Sequence, residues 1–171
     1  YQVIMTTGGG LYRYALKDRV VVSGFYSNTP SLEFVGRADH VVDHRGEKLS
    51  ESFVAACMNE AFDELIVEPR FAMLAPDLSS EPPGYTLYIE TADDPPDTLC
   101  DRLEEKLCRG YHYGLCIRLG QLRPLRVTRV RAPAFDAYAQ ALVARGMRLG
   151  DIKPTPLSRY ADWSDRFAAL S

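Results

Sequence analysis

The chain has 171 residues, 46% hydrophobic and 25% charged, with 20 basic against 23 acidic side chains and a net charge of −3. That length suits one domain, or a domain with a fragment of another, and can bury a real core. The mildly acidic balance excludes a dedicated nucleic-acid binder, the absence of any apolar run near ~18 residues excludes a membrane-spanning helix, and the many spread aromatics exclude disorder.

The opening YQVIMTT reads as a strand at the very first residue, Tyr1, which is expected of a chain cut from something longer. The turn Gly8-Gly9-Gly10 follows, then LYRYAL, RVVVSGFY, a turn at Ser27-Asn28-Thr29-Pro30, and SLEFVG. Short β-branched and aromatic runs broken by Gly, Asn and Pro predict hairpins, with strands over 12–25 and 33–43. The triple glycine is read as a tight turn, because no strand–GxxxxGK[ST]–helix pattern surrounds it. A strand, a turn at Arg45-Gly46 and a short return lead to Ser50, which caps a helix over 50–62.

Strands are predicted at 70–75 and 85–91, separated by the loop LSSEPPG. The Pro-rich ADDPPDT then supplies Asp97 or Thr98 as N-cap for a helix over 97–109. Cys116 sits in an apolar run that looks like a strand. Residues 125–131 (LRVTRVR) alternate Val and Arg as a half-buried strand does, and 134–146 form a helix stopped by Gly146. A loop, GDIKPTPLS, and a last amphipathic turn or helix, DWSDRFAAL, close the chain. The order of elements predicts an α+β fold, a mixed sheet with flanking helices behind a β-rich start.

Cys57, Cys100, Cys108 and Cys116 form no C-x-x-C pair and read as reduced, buried small hydrophobes of a cytoplasmic protein. His40 and His44, in strand-like HVVDH, lack a second pair of ligands, so no metal site is expected. Only Lys17, Lys48, Lys106 and Lys153 are lysines. Lys106, beside Glu104 and Glu105, reads as a helix-surface residue. Lys153 stands alone in a loop stiffened by Pro154 and Pro156, where an ammonium could face a negatively charged reacting group or simply be solvated.

The strings themselves resemble a family. YQVIMTTGGGLYRYALKD looks like the Y-x-L-V-x-T-T-x-x-G-L-Y-R-Y-x-x-G-D of the Gretchen Hagen acyl acid-amido synthetases, adenylate-forming enzymes that include auxin-responsive plant proteins. GFYSNTPSLEFVGR is similar to that family's G-F-x-x-x-x-P-x-x-x-F-x-x-R, YTLYIET to its central strand, and 120–156 to a stretch ending in K-x-P-R. The resemblance implies that residues 1–35 are the β-rich end of a large N-terminal adenylation domain and 36–171 the C-terminal lid domain. It implies ATP, a small carboxylic acid and an amino acid as ligands of the parent protein, with Mg²⁺ held in the missing N-terminal domain. Nucleic acid and membrane are not expected partners. The surface of 1–35 that the missing domain covers would be exposed and open to self-association.

Four residues carry over. Asp18 matches the aspartate that binds the ATP ribose, Arg37 an arginine near ribose and phosphates, Lys153 the lysine reaching the α-phosphate and acyl carboxylate, and Lys48, loosely, a second lysine used when the lid rotates. Taken without the family, Asp18 also suits a turn cap and Arg37 a surface ion pair. Lys17 replaces the family's Gly, and Lys153-Pro154-Thr155-Pro156 displaces its proline and loses its arginine. Three functions follow for the parent: an acid–amino acid ligase, an adenylating enzyme that hands the acyl group to a thiol such as coenzyme A, and a non-catalytic binding module. The isolated chain is expected to be inactive.

Overall fold

The computed structural model describes residues 1–37, 40–131 and 133–168, without the side chains of Lys17, Arg19, Val35, Arg37 and Ala168. The chain divides into two compact units, Tyr1–His40 and Val41–Ser171.

The first unit is an antiparallel sheet of β1 (Gln2–Met5), β2 (Tyr14–Tyr26) and β3 (Thr29–Arg37), in that order. Tyr26 pairs with Thr29, so Ser27 and Asn28 make a two-residue hairpin loop, with Ser27 at φ 54°. Loops of that length join antiparallel strands when positive φ is accommodated. Phe25, Leu32 and Phe34 remain 70%, 56% and 64% exposed. Exposed apolar side chains grouped on a small sheet are a feature of interaction surfaces.

The second unit begins with the short ladder β4 (Val41–Val42) and β5 (Leu49–Ser50). The predicted 33–43 strand is therefore two: β3 ends at Arg37, and HVVDH is strand only at its two valines. Ser50 caps α1 (Glu51–Leu65), its hydroxyl accepting the Phe53 N–H at 3.3 Å. The chain then runs through β6 (Phe71–Asp77), β7 (Gly84–Glu90), α2 (Leu99–Leu107), α3 (Tyr111–Arg118), β8 (Arg126–Arg129) and α4 (Ala134–Ala144) to α5 (Trp163–Ala168). Strand order is β6-β7-β8, antiparallel then parallel, and Leu157 adds a parallel bridge to Leu74 on the outer edge of β6.

Strands β6 and β7 are buried almost throughout, as strands covered on both faces must be. Their alternation sorts the core into two layers. Leu74, Tyr85, Leu87 and Ile89 meet α1, α2 and α3 on one face, through Val54, Leu103 and Tyr113 among others. Phe71, Met73, Ala75 and Tyr88 meet α4 and α5 on the other, through Tyr138, Leu142, Trp163 and Phe167. The mixed sheet flanked by helices is the α+β arrangement predicted.

The apolar run around Cys116 is a helix, not a strand. α3 buries Tyr113 and Cys116 at helical spacing, and a Cβ on Gly114 would stand 2.6 Å from the Cys108 carbonyl oxygen. Lys106 is likewise not a surface residue. It is 7% exposed, its ammonium 2.7 Å from a Glu64 carboxylate oxygen and 3.9 Å from one of Glu60.

One helix end is strained. α4 stops with Gly146 at φ 91°, while α1 makes the same turn with Ile66 at φ 55°, its Val67 N–H reaching back to the Phe62 carbonyl at 2.9 Å. A β-branched residue in the left-handed region costs roughly 1–2 kcal/mol, and Ile66 is 88% exposed, so it gains little by packing. Ile66→Gly is expected to raise stability by about 0.5–1 kcal/mol once the glycine's extra unfolded-state entropy is subtracted. Urea unfolding of the two chains measures it, and a destabilised variant would show that the isoleucine side chain is held by something.

Candidate functional site

The turn between β4 and β5 is built around a buried carboxylate. Gly46 takes φ 99° and donates its N–H to Asp43 Oδ1 at 2.7 Å. Glu47, 1% exposed, accepts the N–H of His44 at 2.9 Å and of Arg45 at 2.7 Å, and also the hydroxyl of Tyr85 from β7. Burial and that carboxylate push the Tyr85 phenol far above its usual range, so it stays a donor. Lys48 follows at φ 47°, a costly conformation for a residue with a Cβ. Its side chain is 55% exposed, 3.8 Å from Asp43 Oδ2, over a cavity of about 170 Å³ that Tyr111 and His112 also line. Sequence reading missed Glu47. Its signal was a carboxylate directly after a turn glycine, which identifies a turn but no partner.

Lys153 lies between buried Ile152 and Pro154. Its carbonyl accepts the Tyr138 hydroxyl at 3.0 Å. Two residues on, Thr155 donates to Glu51 Oε1 at 2.7 Å, and Leu157 then joins β6 through Leu74 N–H to Pro156 (2.8 Å) and Ser158 N–H to the Leu74 carbonyl (2.8 Å). The backbone around Lys153 is thus fixed on both sides, while the side chain is exposed without an ion pair or hydrogen bond to another described residue. The Thr155–Glu51 bond draws the Lys153 loop to the start of α1, three residues after Lys48.

Asp18 and Arg37 belong to the first unit. They are register partners across β2 and β3, and the side chain of Arg37 lies outside the described residues. Asp18 and Arg37 thus share one hairpin of the first unit, while in the second unit Lys48 precedes α1 by three residues and Lys153 sits in the loop that Thr155 ties to Glu51. No group of three or more His, Cys, Asp or Glu side chains among the described residues could hold a metal.

The other ionisable groups are accounted for by packing. Burial raises the Cys57 thiol to about 11 and lifts Cys100, Cys108 and Cys116 as well, which makes all four poor nucleophiles. Glu104 is pushed up by burial, yet it ties three elements together, accepting the Leu125 N–H at 2.7 Å and the Tyr113 hydroxyl at 3.3 Å. Among the described residues, no helix is long and apolar enough to cross a membrane.

The GH3 family central domain matches residues 1–37 and the GH3 family C-terminal domain matches residues 52–162. A probable indole-3-acetic acid-amido synthetase of Oryza sativa subsp. japonica, GH3.7, is 31% identical over 173 residues, covering 92% of this chain and 28% of its own length. Indole-3-acetic acid-amido synthetase GH3.17 and 4-substituted benzoates-glutamate ligase GH3.12, both of Arabidopsis thaliana, are each 29% identical across 90% of this chain. The solved structure of GH3.15 acyl acid amido synthetase superposes with a TM-score of 0.75 at 25% identity, covering 99% of this chain and 33% of that one. The chain spans less than a third of the length of the curated relatives named here.

Proposed function

Since this chain belongs to the GH3 family, we propose that it is the C-terminal part of an ATP-dependent ligase that joins a carboxylic acid to an amino acid. The observation that carries the reading is the order of the two matches, central domain then C-terminal domain, which together account for nearly the whole chain. Residues 1–35 are then the end of the large domain and 36–171 the lid. The exposed Phe25, Leu32 and Phe34 support an absent body over the first sheet, and self-association in its absence. Four free cysteines support a reducing, cytoplasmic setting.

In this reading ATP supplies the group that activates the acid. Asp18 accepts from the ribose and Arg37 lies near it. Lys153 offsets negative charge where the acid carboxylate meets the α-phosphate. Lys48, on its strained turn, serves when the lid rotates. The Mg²⁺ ligands belong to the large domain. The test is the full-length parent with ATP, carboxylic acids and amino acids, with pyrophosphate release and amide formation expected together. A product that needs a thiol in place of the amine would make it the coenzyme A type, and absent ATP–pyrophosphate exchange would make it a binding module. The isolated 171 residues, lacking the phosphate loop and acid pocket the family places upstream, are expected to release no pyrophosphate from ATP. Measured acid-dependent release would overturn the division of labour proposed.

A further inference from the structure

Strands β7 and β8 are parallel, residues 86–89 against 126–129, so their carboxyl ends open on the same edge of the sheet. The chain leaves β7 for α2, which packs on the Leu87 face, and leaves β8 for α4, which packs on the Tyr88 face. Neighbouring parallel strands whose outgoing connections take opposite faces leave a crevice between them, the general position for ligands in open α/β sheets. Here it is a cleft of about 340 Å³, lined by residues 90–92 from the end of β7, residues 129–131 from the end of β8, and Arg70 ahead of β6.

Three guanidinium groups share this cleft. Arg129 is occupied: it pairs with Asp94 and donates to the carbonyls of Thr91 (3.4 Å) and Ala92 (3.0 Å), fixing the lip. The Arg70 backbone N–H donates to the Glu90 carbonyl at 2.8 Å, while the side chains of Arg70 and Arg131 are exposed, without an ion pair or hydrogen bond to another described residue. The carboxylate on the wall, Glu90, is 8% exposed and accepts the Ala134 N–H at 2.9 Å, so it is committed to the start of α4. An adjoining cleft of about 520 Å³ shares Arg70, Thr91 and Ala92, and adds acceptors on Glu68 and Asp93 for donor groups on the rest of a ligand. Among the described residues lining the two clefts are neither Lys48 nor Lys153. α1, about 22 Å long at ~1.5 Å per residue, separates Lys48 from Arg70.

We propose that this switch-point crevice binds a small ligand through an oxyanion, with Arg70 and Arg131 as the forked donors and Arg129 holding the lip. Guanidinium suits both carboxylate and phosphate, which it meets with paired N–H bonds. The site does not depend on the ligase reading and would exist in a catalytically silent chain.

The test is a two-dimensional amide NMR titration of the 171-residue chain at fixed ionic strength, once with inorganic phosphate and once with succinate. Saturable shifts centred on residues 70, 91–92 and 129–131 are expected with at least one of them, and which one responds tells phosphate from carboxylate. Arg70→Gln and Arg131→Gln should each weaken that binding about tenfold or more, the loss of a charge-assisted pair. Arg148→Gln, at an exposed arginine elsewhere in the second unit, should leave it unchanged. The amide spectrum itself reports whether each variant folds, and Arg70→Lys, which keeps the charge and loses the fork, provides a second variant expected to bind more weakly. Absence of saturable binding with both anions, or equal weakening by Arg148→Gln, overturns the proposal.

Discussion

Lys153→Ala in the full-length parent is expected to lower acid-dependent ATP–pyrophosphate exchange by about 10²–10³ while changing the apparent affinity for ATP much less. In adenylation the acid carboxylate approaches the α-phosphate and negative charge concentrates on the oxygens between them. An ammonium held there acts chiefly in the transition state, and removing one such preorganised donor costs about 2.7–4 kcal/mol. The structure supports preorganisation of the backbone: Tyr138 holds the Lys153 carbonyl and Thr155 anchors the loop to Glu51. Pro154 biases Lys153 toward extended backbone. On the proposed reading Asp18→Ala should instead weaken ATP binding, because a ribose contact would be made in ground and transition states alike. Exchange within about threefold of wild type for Lys153→Ala would return the residue to the status of a solvated loop lysine.

The largest effect on stability is expected at Trp163. It is fully buried in the second core layer, stacked at 5.4 Å on both Tyr138 and Phe167. Its indole N–H donates to Ser158 Oγ at 2.7 Å, a hydroxyl that also accepts the Tyr160 N–H at 3.1 Å. Truncating a buried tryptophan removes that area and leaves a cavity, at a cost of about 3–5 kcal/mol. Trp163→Ala should therefore lower Tm by on the order of 10 °C or more, and expose the Tyr138 surface that holds the Lys153 carbonyl. Ser158→Ala, which leaves the indole N–H buried without its acceptor, should cost less, about 1–3 kcal/mol. Thermal unfolding of the three chains gives the order. A loss below about 1 kcal/mol for Trp163→Ala would mean that α5 adds nothing to the core, against the general cost of such truncations.

Periodicity and capping alone were enough for much of the chain. α1 with its Ser50 cap, α4 with its Gly146 stop, the β2–β3 hairpin and the buried runs of β6 and β7 are each written in residues within a turn or two of one another. The family strings are also local, which is why Asp18, Arg37, Lys48 and Lys153 could be named before any fold was known. What local pattern could not carry is whatever depends on a distant partner. Lys106 looks solvated until α1 brings Glu60 and Glu64 against it from more than 40 residues away. Glu47 is one acidic residue among 23 until Tyr85 closes over it. YHYGLCIR carries the aromatic and β-branched residues of a strand; it is a helix because a glycine lets it approach the Cys108 carbonyl while Tyr113 and Cys116 fill the core. The arginine crevice exists only because β8 pairs in parallel with β7 and their exits diverge. Burial energy is gained in space between segments far apart in the chain, so it overrides the weak local preferences by which a sequence is read.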